Sequence, residues 1–179
     1  VTVSAVDDAA TGIVTLSGTV QEGSAVTAIV SGISDVDDDD GTLSFTYQWQ
    51  SSSDNTTFSS ISGANSVSYS IPSDQTLVDK FLRVQVISTD SRGGTTTKVS
   101  ASQQVANVED EATGEVTITG TVEEGSTVSA VVSGIADVDD DDGTLAFTYQ
   151  WQSSTDDSYF TNIVGATSVS YSIPSDQTL

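Results

Sequence analysis

"LSFTYQWQ" at residues 43–50 alternates without a break: Leu43, Phe45, Tyr47 and Trp49 fall on one side, and Ser44, Thr46, Gln48 and Gln50 on the other. Successive side chains of a β-strand point to opposite faces, so the stretch predicts a strand with an aromatic inner face and a polar outer one. The same signature recurs outward in both directions. Upstream, "IVTL" (13–16) groups Val14 with Leu16, and "AVTAIV" (25–30) groups Val26, Ala28 and Val30. Downstream come "TFSSI" (57–61), then "SVSYSI" (66–71) with Val67, Tyr69 and Ile71 inward. "FLRVQVIS" (81–88) turns Leu82, Val84 and Val86 inward, and "TTTKVSASQQV" (95–105) closes the set. Turns rich in Gly, Asn, Asp and Ser separate the runs. Seven short strands with a tryptophan in the third predict an immunoglobulin-like β-sandwich, and the lack of cysteine means one without a disulfide.

The strand then appears a second time, as "LAFTYQWQ" at 145–152. Residues 11–77 align without a gap onto 113–179, an offset of 102, and 50 of the 67 pairs are identical. A repeat of that length suits one sandwich domain better than one coil of a solenoid. The chain therefore reads as all-β, built of tandem immunoglobulin-like repeats. Residues 1–8 correspond to the tail of a preceding repeat and a linker, and 9–106 to a complete sandwich. Residues 107–179 form a second repeat without counterparts of the last two strands. That segment holds 14 acidic residues and no basic one, so alone it is expected to stay unfolded unless a strand complements it.

Composition excludes several functions. Twenty-six acidic and four basic residues give a net charge of −22, which repels nucleic acid and anionic membrane. Histidine and cysteine are absent, removing the usual general base and the ligands zinc prefers. No apolar run approaches the ~18 residues of a membrane-spanning helix, so no membrane insertion by this stretch is expected.

"DVDDDDG" at 35–41 returns unchanged at 137–143. With the strands lettered A to G, this run is the B–C loop and lies at the pole where the linker comes in, together with the F–G loop "TDSRGG" (89–94). Asp7, Asp8, Asp35, Asp37, Asp39, Asp40 and Asp90 are thus expected to converge in the first repeat. Glu109, Asp110, Asp137, Asp139, Asp141 and Asp142 should do so in the second, with Glu22 or Asp74 from the first repeat assisting. Carboxylates gathered so closely repel unless a cation neutralises them. Calcium (Ca2+) suits them best, since it takes six to eight oxygen ligands, whereas magnesium demands stricter octahedral geometry. The spacing is not that of an EF-hand, because Asp40 stands where the turn glycine belongs and Thr46 where the last glutamate belongs. A solvated acidic loop serving solubility is the plainer alternative; its duplication argues for the metal.

"GTVQEGSAVTAIVSGISDVDDDDGTLSFTYQWQSS", "ISGANSVSYSI", "VISTDSRGG" and "VANVEDEATG" resemble the tandem extender repeats of giant bacterial adhesins, which type I systems secrete, often with RTX repeats elsewhere in the chain. The resemblance spans essentially the whole sequence. It implies calcium-stiffened, non-catalytic spacers outside a bacterial cell, with neighbouring repeats as partners and a distal adhesive domain held away from the surface. Linkers of that group often carry Asn-Asp-Pro; here "VDDAATG" and "VEDEATG" lack the proline, which leaves more of the stiffening to the metal.

Three other functions compete. Paired carboxylates such as Glu22, Glu123 and Glu124 suit glycoside hydrolysis in principle, but they sit in hairpin turns rather than an aromatic cleft, so no enzyme is expected. Tyr159 and Phe160, in the most divergent loop, are candidates for a ligand-binding module. A repeat short of two strands also fits a filament subunit that other copies of the chain complete by β-strand addition.

Overall fold

Strict alternation becomes two antiparallel sheets in the first half of the chain. The computed structural model describes residues 6–36, 41–140 and 144–176. The chain divides into two units, Val1–Val108 and Glu109–Leu179. In unit 1 the strands are Ile13–Ser17 (β1), Ala25–Ser31 (β2), Ser44–Ser52 (β3), Ser59–Ser60 (β4), Ser68–Ser70 (β5), Phe81–Thr89 (β6), Thr95–Val99 (β7) and Gln103–Gln104 (β8). One sheet runs β1-β2-β5 and the other β4-β3-β6-β7, with β8 also pairing β6. This is an immunoglobulin-like two-layer arrangement.

The core lies between the layers. Val14, Val26 and Ala28 face Trp49, Leu82, Val84 and Val86, each of them buried. Burying a side chain of this size contributes about 1.5–3 kcal/mol. The β3–β6 register sets Trp49 beside Val84 and Tyr47 beside Val86, so the aromatic and valine side chains form one continuous inner face of that sheet. Trp49 is 0% exposed; its indole N–H donates to Ser66 O at 2.9 Å, and its ring stacks on Tyr69 with centroids 5.6 Å apart.

Two side chains depart from the alternation. Val67 was expected inward and is exposed. The chain bends just before β5: Ser66 O receives the indole, Val67 O receives the Ala28 amide, and strict inside–outside parity does not survive the bend. Gln50 was expected to face water and is buried. Its Oε1 accepts from Arg83 Nε at 2.8 Å and its Nε2 donates to Gln85 Oε1 at 3.1 Å. The Arg83 guanidinium in turn sits 3.8 Å above the Phe58 ring centre, within cation–π range. A polar ladder therefore covers the outer face of this sheet.

Unit 2 contains Thr113–Thr119 (β9), Thr127–Ala136 (β10), Gln152–Ser153 (β11), Thr161–Asn162 (β12) and Ser170–Ser172 (β13). Its sheets are β13-β10-β9 and β11-β12. Local structure repeats that of unit 1 closely: Trp151 Nε1 donates to Ser168 O at 2.9 Å, and the ring stacks on Tyr171 at 5.8 Å. Burial does not repeat. Val116 is 64% exposed where its counterpart Val14 is 5% exposed, and Trp151 is only half-buried. Among the described residues, 144–151 has no strand partner. No helix among them is long and apolar enough to cross a membrane.

The turn after the tryptophan strand is capped alike in both units. Asp54 Oδ1 accepts from the amides of Thr57 (2.7 Å) and Thr56 (2.8 Å) and from the Ser52 hydroxyl (2.8 Å). Asp156 Oδ1 does so from Ser158 (2.9 Å), Tyr159 (3.1 Å) and Ser154 (3.0 Å). The Thr57 amide foremost in Asp54, and the Ser158 amide foremost in Asp156, hold these carboxyls below the usual range. A folded pKa below the unfolded value, about 3.9, means stability fully present above that value and lost as pH falls through the folded pKa. The melting temperature in EGTA should accordingly drop below about pH 4. The Asp54→Asn/Asp156→Asn double variant should show a smaller drop; parallel curves would mean that the caps contribute nothing.

Candidate metal-binding carboxylates

Asp90 is the first residue of the turn that leaves β6. Its amide donates to Gly94 O at 3.0 Å, and the Gly93 amide donates back to Asp90 O at 3.2 Å. Its Oδ1 accepts from the amides of Arg92 (2.7 Å) and Gly94 (2.9 Å). The turn thus clamps the carboxylate inward, where Asp90 is 8% exposed and its Oδ2 is buried without a hydrogen-bond partner. Leaving a buried acceptor unsatisfied costs about 1–3 kcal/mol, and more when it is charged.

The N-terminal segment lies over this turn. The Ala10 amide donates to Thr96 Oγ1 on β7 (2.8 Å), and the Thr11 amide donates to Ser34 O (2.8 Å). These bonds bring Asp7 over Gly94. A Cβ on Gly94 would stand 2.5 Å from Asp90 Oδ2 and nearer still to Asp7 Oδ1. Two carboxylate oxygens therefore face one small space that glycine alone leaves open. Asp35 is half-buried in the β2–β3 loop and Asp8 is exposed. Asp37, Asp39 and Asp40 lie outside the described residues.

The other predicted ligands of unit 1 are at its opposite end. Glu22 belongs to the β1–β2 turn, yet it is 5% exposed. Its amide donates to Ala106 O (3.1 Å), Oε1 accepts from the Val108 amide (2.5 Å), and Oε2 is buried with no partner. Asp74 has its Oδ1 on the Thr76 amide at 2.9 Å, a turn cap; the Thr76 hydroxyl and then its amide lower its pKa.

In unit 2 the linker meets the acidic loop. The Asp110 amide donates to Asp139 Oδ2 (2.5 Å), and the Asp139 amide donates to Asp137 Oδ1 (2.9 Å). Thr113 Oγ1 donates to Ala136 O at 3.1 Å and holds the loop base. Glu109 is exposed, and Asp141 and Asp142 lie outside the described residues. Sequence patterning picked out the loops that meet but not the part played by Gly94. The consecutive glycines in "TDSRGG" were the available signal: Gly93 turns the chain at φ 89°, and Gly94 leaves room.

Fold and repeat together define an all-β protein of tandem β-sandwich repeats. The chain belongs to the family described as a domain of unknown function (DUF8696), which it matches twice, over residues 10–110 and 95–178. No curated protein and no solved structure matches it.

Proposed function

We propose that these repeats are calcium-binding, non-catalytic spacer modules of an extracellular bacterial adhesin. The observation that carries the proposal is Asp90 Oδ2, a buried carboxylate oxygen with no donor, facing Asp7 across the bare Gly94. A cation between them removes both the repulsion and the unsatisfied acceptor. The donor set is all oxygen, which favours calcium over zinc. In unit 2, Asp110, Asp137 and Asp139 gather the linker onto the equivalent loop, so a cation there stiffens the approach to that repeat. Near-identical repeats add length without adding new chemistry, which suits a spacer. The resemblance of the linker and loop motifs to adhesin extender repeats supports the extracellular assignment.

Calorimetric titration of the 179-residue chain should show calcium binding with Kd of about 10⁻⁴–10⁻³ M, the range of extracellular modules. Asp90→Asn should remove the unit 1 site, and magnesium should not replace calcium. Equal melting temperatures in millimolar calcium and in EGTA would overturn the proposal. A glycan array should stay blank; a hit that persists in EGTA would favour a ligand-binding module instead.

A further inference from the structure

Residues 103–108 of unit 1 are bonded to both of its sheets. On one flank they follow β6: Gln103 pairs with Leu82 and Gln104 with Phe81. The Val105 amide then donates to Lys80 O (2.8 Å), and the Asp79 amide donates to Val105 O (3.0 Å). On the other flank the segment runs parallel to the chain that follows β1, with Ala106 bridged to Gln21. There the Ala106 amide donates to Val20 O (3.0 Å), and the Glu22 amide donates to Ala106 O (3.1 Å). The buried Glu22 carboxylate adds a third bond on this flank, its Oε1 accepting the Val108 amide at 2.5 Å. Val105 and Val20 are both buried in the core.

The direction of the two runs decides how tension acts on these bonds. The chain enters unit 1 where the Ala10 amide bonds Thr96 and the Thr11 amide bonds Ser34, and β1 carries it to the opposite end, at Glu22. Residues 95–108 travel the same way, since β7 begins beside that entry and Ala106 finishes beside Glu22. Pulling entry and exit apart therefore slides 104–108 past 18–22 and loads the bonds of both flanks together. Bonds sheared together must break together, whereas bonds pried from one end of a strand break in turn. Forced unfolding is governed by the unfolding barrier, so the arrangement of the bonds counts for more than their equilibrium contribution.

We propose that residues 103–108 are a tension clamp, in which the Glu22 carboxylate locks the last rung and unit 1 resists pulling from entry to exit. A spacer transmits load along its chain, so the purpose of the clamp rests on the function proposed above, while its bonds need no metal.

The chain has no cysteine, so two introduced thiols fix the points of attachment for single-molecule force spectroscopy. In the full chain, Ala9→Cys with Ala112→Cys pulls unit 1 from entry to exit and leaves residues 113–179 outside the load. Ser73→Cys with Ala112→Cys pulls from one end, because Ser73 follows Pro72, whose carbonyl accepts the Gly23 amide (3.1 Å) beside Glu22. All three positions are exposed. In EGTA and at one loading rate, the entry-to-exit force should be roughly twofold above the one-end force. That event should release about 340–370 Å of chain in a single step. Glu22→Ala removes one of the three bonds on the β1 flank and should lower the entry-to-exit force to roughly two-thirds. Glu22→Gln, which keeps Oε1, should retain it, and neither variant should change the one-end force. Equal forces in the two directions, an undiminished force in Glu22→Ala, or stepwise lengthening from entry to exit would each overturn the clamp. Calcium is absent throughout, so none of these results turns on whether the repeats bind it.

Discussion

Trp49→Ala should destabilise unit 1 by about 3–5 kcal/mol, a large share of the ~5–15 kcal/mol that holds a domain together. The substitution empties the centre of the sandwich and also removes the indole bond to Ser66 and the stack on Tyr69. Trp151→Ala removes the same local contacts from unit 2, but from a half-buried ring whose wall is already open, so its cost should be well under that of Trp49→Ala. Denaturant titration with hydrogen exchange at the β6 amides measures the first effect. In each variant the remaining tryptophan reports the other unit by fluorescence. Equal losses at the two positions would mean that the exposure of unit 2 has no energetic consequence.

The asymmetry shows what a sequence pattern carries and what it does not. Leu82, Val84 and Val86 were legible because nine residues alternate without a turn, and period-2 parity is a property of the backbone. Val67 was misread because parity holds only while the strand lasts, and pairing there covers just Ser68–Ser70. Gln50 was misread for another reason. A glutamine on an outer face becomes buried only when an arginine and a second glutamine arrive from β6, which is tertiary information. Val116 and Ile118 repeat the Val14 and Leu16 pattern, yet they are exposed, because burial depends on a strand that the pattern of 113–119 does not contain.

The carboxylates divide in the same way. Strand order is what led to the expectation that Asp7, Asp35 and Asp90 share a pole, and of these Asp7 and Asp90 lie together at Gly94. The burial of Asp90 Oδ2 depends on a turn in which two amides occupy Oδ1 and direct the other oxygen inward. Glu22 has a similar explanation: a turn residue is normally solvated, but here the returning chain pairs Ala106 with Gln21 and brings the Val108 amide onto the carboxylate. The Glu22 contact joins residues 86 positions apart, beyond the reach of a local pattern; the Asp90 turn is local, and what no local pattern shows there is the Asp7 carboxylate arriving over Gly94.

Gly94→Ala should then separate the metal site from the fold. The backbone at Gly94 is not in the left-handed region, so alanine adds no torsional strain. Its methyl group instead meets the ends of two acidic side chains: Asp7, on an exposed segment, swings aside at small cost, whereas the clamped Asp90 carboxylate has to shift with its turn. In EGTA the variant should melt somewhat below the wild type, so the readout is the further rise on adding calcium. In calcium it should lack the stabilisation that a bound cation provides, roughly 1.4–2.7 kcal/mol at ten to a hundred times Kd. For a domain of this size that corresponds to a shift of roughly 6–20 °C. Gly93→Ala should behave in the opposite way. Its φ of +89° strains any side chain, whereas nothing lies within 4 Å of the added carbon. It should lower the melting temperature in EGTA and leave calcium affinity largely intact. If Gly94→Ala binds calcium as tightly as the wild type, the cation does not sit between Asp7 and Asp90.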